Sequence, residues 1–237
     1  MKALWAMPLV VLLCSGCHSY SGHQHRDDPK LTPLMNAAAQ NDLSRVHTLL
    51  AQGADVKART PVGQTALYEA IERHDLNADN LPIVDALLEA GADPNEVEFS
   101  TAHPLSVSLT RDYANPAVTL RLLQRGARVP QECPPQNAED SLRSLATQES
   151  SIDVIRELIV RGSPVNCECK GATALYWAAL NGQHDRVQLL LDRGADPRQS
   201  DLDAANTTNP DSRVQSDFSK TRQLLEKALR ASQPTTR

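Results

Sequence analysis

Apolar residues along this chain fall in short runs at i, i+3 and i+4, and the runs come in pairs closed by a glycine. The stretch LLDRGADP at residues 190–197 shows the end of one pair: a leucine-rich helix, a glycine stop, then a turn. Related stretches are LLAQGADV at 49–56, LLEAGADP at 87–94, LLQRGARV at 122–129 and LIVRGSPV at 158–165. The closing glycines Gly53, Gly91, Gly126, Gly162 and Gly194 are separated by 38, 35, 36 and 32 residues. A near-constant period of this size marks a repeat array. The clearest pair predicts two helices. Thr173 caps the first, whose apolar face is Leu175, Ala178 and Ala179, and Asn181-Gly182 breaks it. The second buries Val187, Leu190 and Leu191, and Gly194 ends it in a left-handed turn.

These units resemble the ankyrin repeat, with its T-P-L-H-x-A-A opening, V-x-x-L-L second helix and G-A-D close. The first reads Thr32-Pro33-Leu34, Ala37-Ala38, Val46, Leu49-Leu50 and Gly53-Ala54-Asp55; the second runs from Thr65-Ala66-Leu67 to Gly91-Ala92-Asp93. His103-Pro104-Leu105 and Asp140-Ser141-Leu142 open two degenerate units. The second unit is lengthened near residues 75–81, which predicts a longer loop between its helices. A sixth unit is predicted from Leu202, Ala205 and residues 221–230, split by the polar insertion 206–216 and lacking a closing G-A-D, as a terminal cap would. The resemblance implies an all-α solenoid of about six stacked helix-turn-helix repeats with projecting hairpin-like loops. Its units are 30–58, 59–97, 98–134, 135–167, 168–199 and a capping 200–231, with a disordered tail at 232–237. One such pair cannot bury its apolar stripe alone, so neighbours must stack.

The N-terminus departs from the repeat. Lys2 precedes the ten-residue apolar stretch LWAMPLVVLL at 4–13, the length of a signal-peptide core. Cys14-Ser15-Gly16-Cys17 follows and resembles a bacterial lipoprotein signal, although Cys14 stands where that family usually has Leu. The resemblance implies cleavage after residue 16 and lipidation of Cys17. His18 rather than Asp at the next position implies the outer membrane, facing the periplasm. The alternative is an ordinary secretory cut that releases a soluble protein. Residues 17–29 are polar and read as a flexible tether; its His18, His23 and His25 lack the further ligands a closed metal site needs.

Ala and Leu, not aromatics, carry the apolar content, which suits close-packed short helices. The net charge of −5 comes with no long basic run, which argues against a nucleic-acid partner. There is no apolar run of about 20 residues of the kind a membrane-spanning helix needs. Export permits disulfides. Cys133 and Cys169 each lie seven residues after a closing glycine, in neighbouring loops, so a bridge from Cys133 to Cys169 or to Cys167 is one reading. Free thiols are the other, since bridged Cα atoms must approach within about 7 Å.

No nucleophile, metal or phosphate-loop motif occurs, so no catalytic residue, cofactor or metal is expected. His103 reads as a structural substitute for the capping Thr, His184 as a solvated residue opening a second helix, and the acidic residues as mostly solvent-facing. Surface remains. The family resemblance places recognition on loop tips and on the ends of first helices. These positions hold Val62, Phe99 and Lys170 at tips and Arg73, Arg111 and Asn181 at helix ends. Phe99 is either a recognition anchor or folds back onto the third repeat; Trp177 reads as core filler. The expected function is a monomeric, non-enzymatic protein-binding module on a lipid anchor, by analogy an inhibitor or immunity partner of a secreted toxin or envelope enzyme. The alternatives are an envelope adaptor and an unrecognised hydrolase or metal protein.

Overall fold

The computed structural model describes residues 28–72, 79–96, 103–109, 115–129, 152–168, 171–207 and 218–232. Every regular element among them is a helix, apart from one isolated β-bridge at Ala172. In chain order the helices are α1 (Pro33–Ala39), α2 (Leu43–Ala51), α3 (Ala66–Ile71), α4 (Leu81–Glu89), α5 (Pro104–Ser108) and α6 (Pro116–Gln124). They continue as α7 (Ile152–Val160), α8 (Ala174–Leu180), α9 (His184–Asp192), α10 (Gln199–Asn206) and α11 (Phe218–Ser232).

The helices stack in two layers. An inner layer runs α1, α3, α5, and resumes at α8 and α10; the outer layer runs unbroken through α2, α4, α6, α7, α9 and α11. The opening of the fourth unit, including Asp140 to Leu142, lies outside the described residues. Each layer is built from what its positions can bury. Ala37, Ala38, Ala178 and Ala179 are 0–1% exposed, so the short inner helices meet along small side chains. The outer layer brings Val46, Val84, Leu87, Leu122, Leu158 and Val187, all fully buried.

The local signals act as read. Thr32, Thr65 and Thr173 each accept the N–H of the residue three on, at 3.2 Å, and so satisfy a donor that the first turn leaves orphaned. His103 corrects the reading. It occupies the capping position of α5, yet its side chain makes no cap bond. An imidazole does not present a hydroxyl close to its own backbone, and Pro104 at the first helical position lowers the need by removing one orphan donor.

The closing glycines share one geometry. All five hold φ between +83° and +98°. At Gly53, the glycine N–H donates to Leu50 O and the Ala54 N–H to Leu49 O, both at 3.0 Å; the same pair of bonds closes the other four units. A Cβ on Gly91 would meet nothing within 4 Å, so glycine is required there by conformation and not by space. The turn between inner and outer helix needs the left-handed region too. Gly182 supplies it at φ +62°, and Asn41 occupies the same place in the first unit at φ +55°. In the second unit α3 ends at Ile71 and α4 begins at Leu81, a longer separation than in the first and fifth units, as expected from the spacing.

The sixth unit replaces the threonine cap with its mirror image. Arg198 stands at the N-cap, and Asp201, three residues on, accepts the Arg198 N–H at 2.7 Å. The pair α10 and α11 packs on α8 and α9.

Candidate interaction surface

The first loop tip is a tight turn held from both sides. Thr60 N–H donates to Gln64 O at 3.0 Å, Gln64 N–H returns to Thr60 Oγ1 at 3.0 Å, and Gly63 N–H donates to Thr60 O at 2.9 Å. Thr60 itself is buried. The turn lifts Pro61 and Val62 into solvent, and Val62 is 61% exposed. An aliphatic side chain on a pre-ordered turn can be covered by a partner with little loss of backbone entropy.

Neighbouring tips are tied to one another. Asn95 Nδ2 donates to Gly126 O at 3.0 Å while its Oδ1 accepts the Arg128 N–H at 2.7 Å. Asn166 repeats this on Gly194 O at 3.1 Å and Asp196 N–H at 2.9 Å. Each asparagine thus satisfies both polar groups of the next unit's closing turn. Arg59 pairs with Glu96 and Arg198 with Glu168, again from one loop to the next. On the outer face Arg121 pairs with Asp85, and Arg125 with Glu89 at 3.2 Å. These pairs are partly exposed and individually weak; they align the repeats more than they stabilise them.

Of the candidate recognition residues, Val62 and Asn181 are described. Val62 stands free at its tip. Asn181 is half-buried and spends its amide on Trp177 O at 2.8 Å, capping α8 from behind. Phe99, Lys170, Arg73 and Arg111 lie outside the described residues, as do Cys17, Cys133, Cys169 and the signal and tether segments before residue 28. Cys167 is buried and disulfide-bonded; its partner lies outside the described residues. Trp177 is half-buried against the core, edge-on to Tyr176 with ring centroids 5.7 Å apart. His184 is more enclosed than a solvated residue: its Nδ1 is buried without a hydrogen-bond partner. Among the described residues no group of three His, Cys, Asp or Glu is placed to hold a metal. No described helix is long and apolar enough to cross a membrane.

Among the described residues Asp201 is the one fully buried acid. It is 1% exposed, and burial raises its pKa above 3.8, against the pull of the Arg198 N–H and guanidinium. The folded chain therefore holds this proton to higher pH than the unfolded chain does. Through that window stability falls as pH rises. Asp201→Asn removes the titration, so relative to wild type the variant is expected to fare better at pH about 7 than at pH about 3. Urea titrations at the two pH values measure this; an identical difference at both would refute it.

Sequence reasoning missed Asn95 and Asn166, and with them Asn80 and Asn115. The signal for the first two was present: each stands four residues after a closing glycine, in GADPNE and GSPVNC. Asn80 and Asn115 carried only the signal of a helix cap beside a Pro, which does not reveal the bond between them.

The family pattern described as ankyrin repeats (3 copies) matches residues 6–98 and 112–201. The bovine mitochondrial disaggregase is 32% identical over 197 residues; these cover 83% of this chain but 22% of that protein, so the chain spans under a quarter of its length. The crystal structure of the human ASB11 ankyrin repeat domain superposes with a TM-score of 0.63 at 25% identity, covering 87% of this chain and 86% of that one. A chain in the complex of the predatory endopeptidase Bd0816 from Bdellovibrio bacteriovorus with immunity protein Bd3460 superposes with a TM-score of 0.62, covering 85% of this chain and 99% of that one; at 21% identity the likeness is one of fold. With its two helix layers, five identical closing turns and a family match over most of its length, the chain belongs to the ankyrin-repeat family.

Proposed function

We propose that this chain is a lipid-anchored, periplasm-facing binding protein that inhibits a secreted or envelope enzyme, in the manner of an immunity partner. Ankyrin repeats are in general modules for protein interaction and not for catalysis. The observation that carries the reading is the turn at 60–64, hydrogen-bonded on both sides and offering the exposed Val62 from a buried base. The disulfide at Cys167 supports an oxidising compartment, because thiols in the bacterial cytosol are kept reduced. The apolar segment 4–13 followed by Cys17 supports export and acylation. The immunity-protein complex of like fold supports the inhibitory role by analogy alone.

Two substitutions test the two halves of the proposal. Cys17→Ala is expected to move the protein from the membrane to the soluble fraction and to abolish labelling with palmitate. Retention in the membrane would remove the anchor from the proposal. Val62→Asp places a charge where a partner would cover the tip. It is expected to weaken capture of the partner from envelope extract by about tenfold or more, roughly 1.4 kcal/mol, with the thermal midpoint unchanged. Equal capture by a folded variant would clear the tip of any part in binding.

A further inference from the structure

The turn between α8 and α9 carries the one Asn-Gly pair of the sequence, Asn181-Gly182. Such a pair is chemically labile. A glycine nitrogen has no side chain beside it to hinder its approach to the Cγ of the preceding asparagine. Attack forms a bond from the Gly182 nitrogen to Asn181 Cγ and closes a cyclic imide. The Cγ–Nδ2 bond breaks, the peptide proton passes to Nδ2, and ammonia leaves. One water then opens the imide at either carbonyl. The product is aspartate, or isoaspartate with the main chain routed through Cγ. Water is the only reagent.

The fold holds each reacting group off this path. Asn181 has ψ 4°, so the Gly182 nitrogen lies beside Asn181's own nitrogen and not beside its Cβ. The Gly182 N–H donates to Ala179 O at 3.0 Å, and Asn181 Nδ2 donates to Trp177 O at 2.8 Å. Gln183 N–H donates to Ala178 O at 3.0 Å, which fixes the far side of the glycine as well. All these bonds are local to the fifth repeat and last only while its turn is formed. The turn does not need the labile pair. The first repeat makes the same two backbone bonds, from Asn41 N–H to Ala38 O and from Asp42 N–H to Ala37 O, with no glycine after its asparagine.

We propose that Asn181-Gly182 is a latent modification site, guarded by the folded fifth repeat and converted to aspartate or isoaspartate when that repeat opens with the first three still folded. Units held only by their neighbours can open below the cost of global unfolding, so the site records openings that leave the rest of the array in place. Conversion weakens the unit that guarded it. A carboxylate at position 181 has no N–H to give Trp177 O, and it sets negative charge at the C-terminal end of α8, where the helix carbonyls already point. Isoaspartate adds an atom to the main chain and shifts the register of the bonds to Ala178 and Ala179. The site is independent of the lipid anchor.

The full chain is incubated in mildly alkaline buffer, and conversion at position 181 is followed by peptide mass spectrometry. The folded chain is expected to convert about tenfold more slowly, or slower still, than the same chain unfolded in urea. Leu190→Ala empties a buried site in α9 and is expected to raise the rate in native buffer severalfold. Leu34→Ala, in α1, is expected to leave the rate within about twofold of wild type. Should Leu190→Ala fail to fold, urea well below the midpoint decides: it must raise the wild-type rate while α1 to α4 keep their amide protection. Asn181→Asp is expected to speed amide exchange in α8 and α9 severalfold. A folded chain that converts as fast as the unfolded one, a rate untouched by Leu190→Ala, or an equal rise with Leu34→Ala would overturn the proposal. So would conversion that begins only where the whole chain melts, or exchange in Asn181→Asp equal to wild type.

Discussion

Asn80→Ala is expected to cost about 2–3 kcal/mol of stability, more than most polar substitutions. Asn80 is 1% exposed at the base of the lengthened loop of the second repeat. Its Nδ2 donates to Ala70 O at 2.9 Å, near the end of α3, and its Oδ1 accepts from Asn115 Nδ2 at 2.8 Å, in the third repeat. Truncation leaves the Ala70 carbonyl facing a void and frees Asn115, which is part-buried and can turn to water. The first loss dominates, since an orphaned buried acceptor costs about 1–3 kcal/mol. Asn80→Asp is expected to be no better at neutral pH: a carboxylate can still accept from Asn115, but it cannot donate to Ala70 O, and it buries a charge. Asn115→Ala loses less on the Asn80 side but also gives up the cap bond from Ala117 N–H at 3.1 Å, worth about 1 kcal/mol. Because the two asparagines share a bond, the double variant is expected to cost less than the summed singles by about 0.5 kcal/mol or more. Urea titration of the four proteins measures it. Strict additivity would show that the bond between repeats two and three contributes nothing.

The parts of the fold that were legible from sequence are those set by local chemistry. Thr32, Thr65 and Thr173 cap helices, and Gly53 to Gly194 end them, because hydroxyls and left-handed backbone act within four residues of themselves. The apolar stripes were legible because stacking repeats them at a fixed period. The connections between repeats were not. Asn95 and Asn166 act on residues 31 and 28 positions away, and Asn80 is reached from 35 positions away. A side chain that is polar and turn-favouring looks the same in sequence whether it faces water or clamps a neighbour's backbone. Asp201 was not picked out from the other acids for the same reason: a buried acid and a solvated one differ only in what the next helix covers. Val62 was legible as a tip residue. The bonds around Thr60 that hold it in place were not, since they depend on the turn closing.

Equivalent leucines in the first two repeats are expected to differ in cost by about 2 kcal/mol. Leu87 in α4 and Leu49 in α2 each stand four residues before a closing glycine. Leu87 is 0% exposed, between outer helices on both sides, while Leu49 is half-buried, with α4 on one side alone. The positions around them follow suit. Where the second repeat buries Ile83 and Ala86, the first has Arg45 and Thr48, so its outward side is dressed for water as an end repeat requires. Leu87→Ala removes buried methyl groups from a site that neighbours on two sides keep from collapsing, at about 3 kcal/mol; Leu49→Ala trims a side chain water already reaches, at about 1 kcal/mol. Leu87→Ala also weakens two interfaces at once, so amide exchange is expected to accelerate in α2, α4 and α6 while α9 and α11, beyond the fourth repeat, keep their protection. Equal costs for the two leucines, or exchange that rises uniformly from α2 to α11, would mean that the chain unfolds as one block and not as a row of units each held by its neighbours.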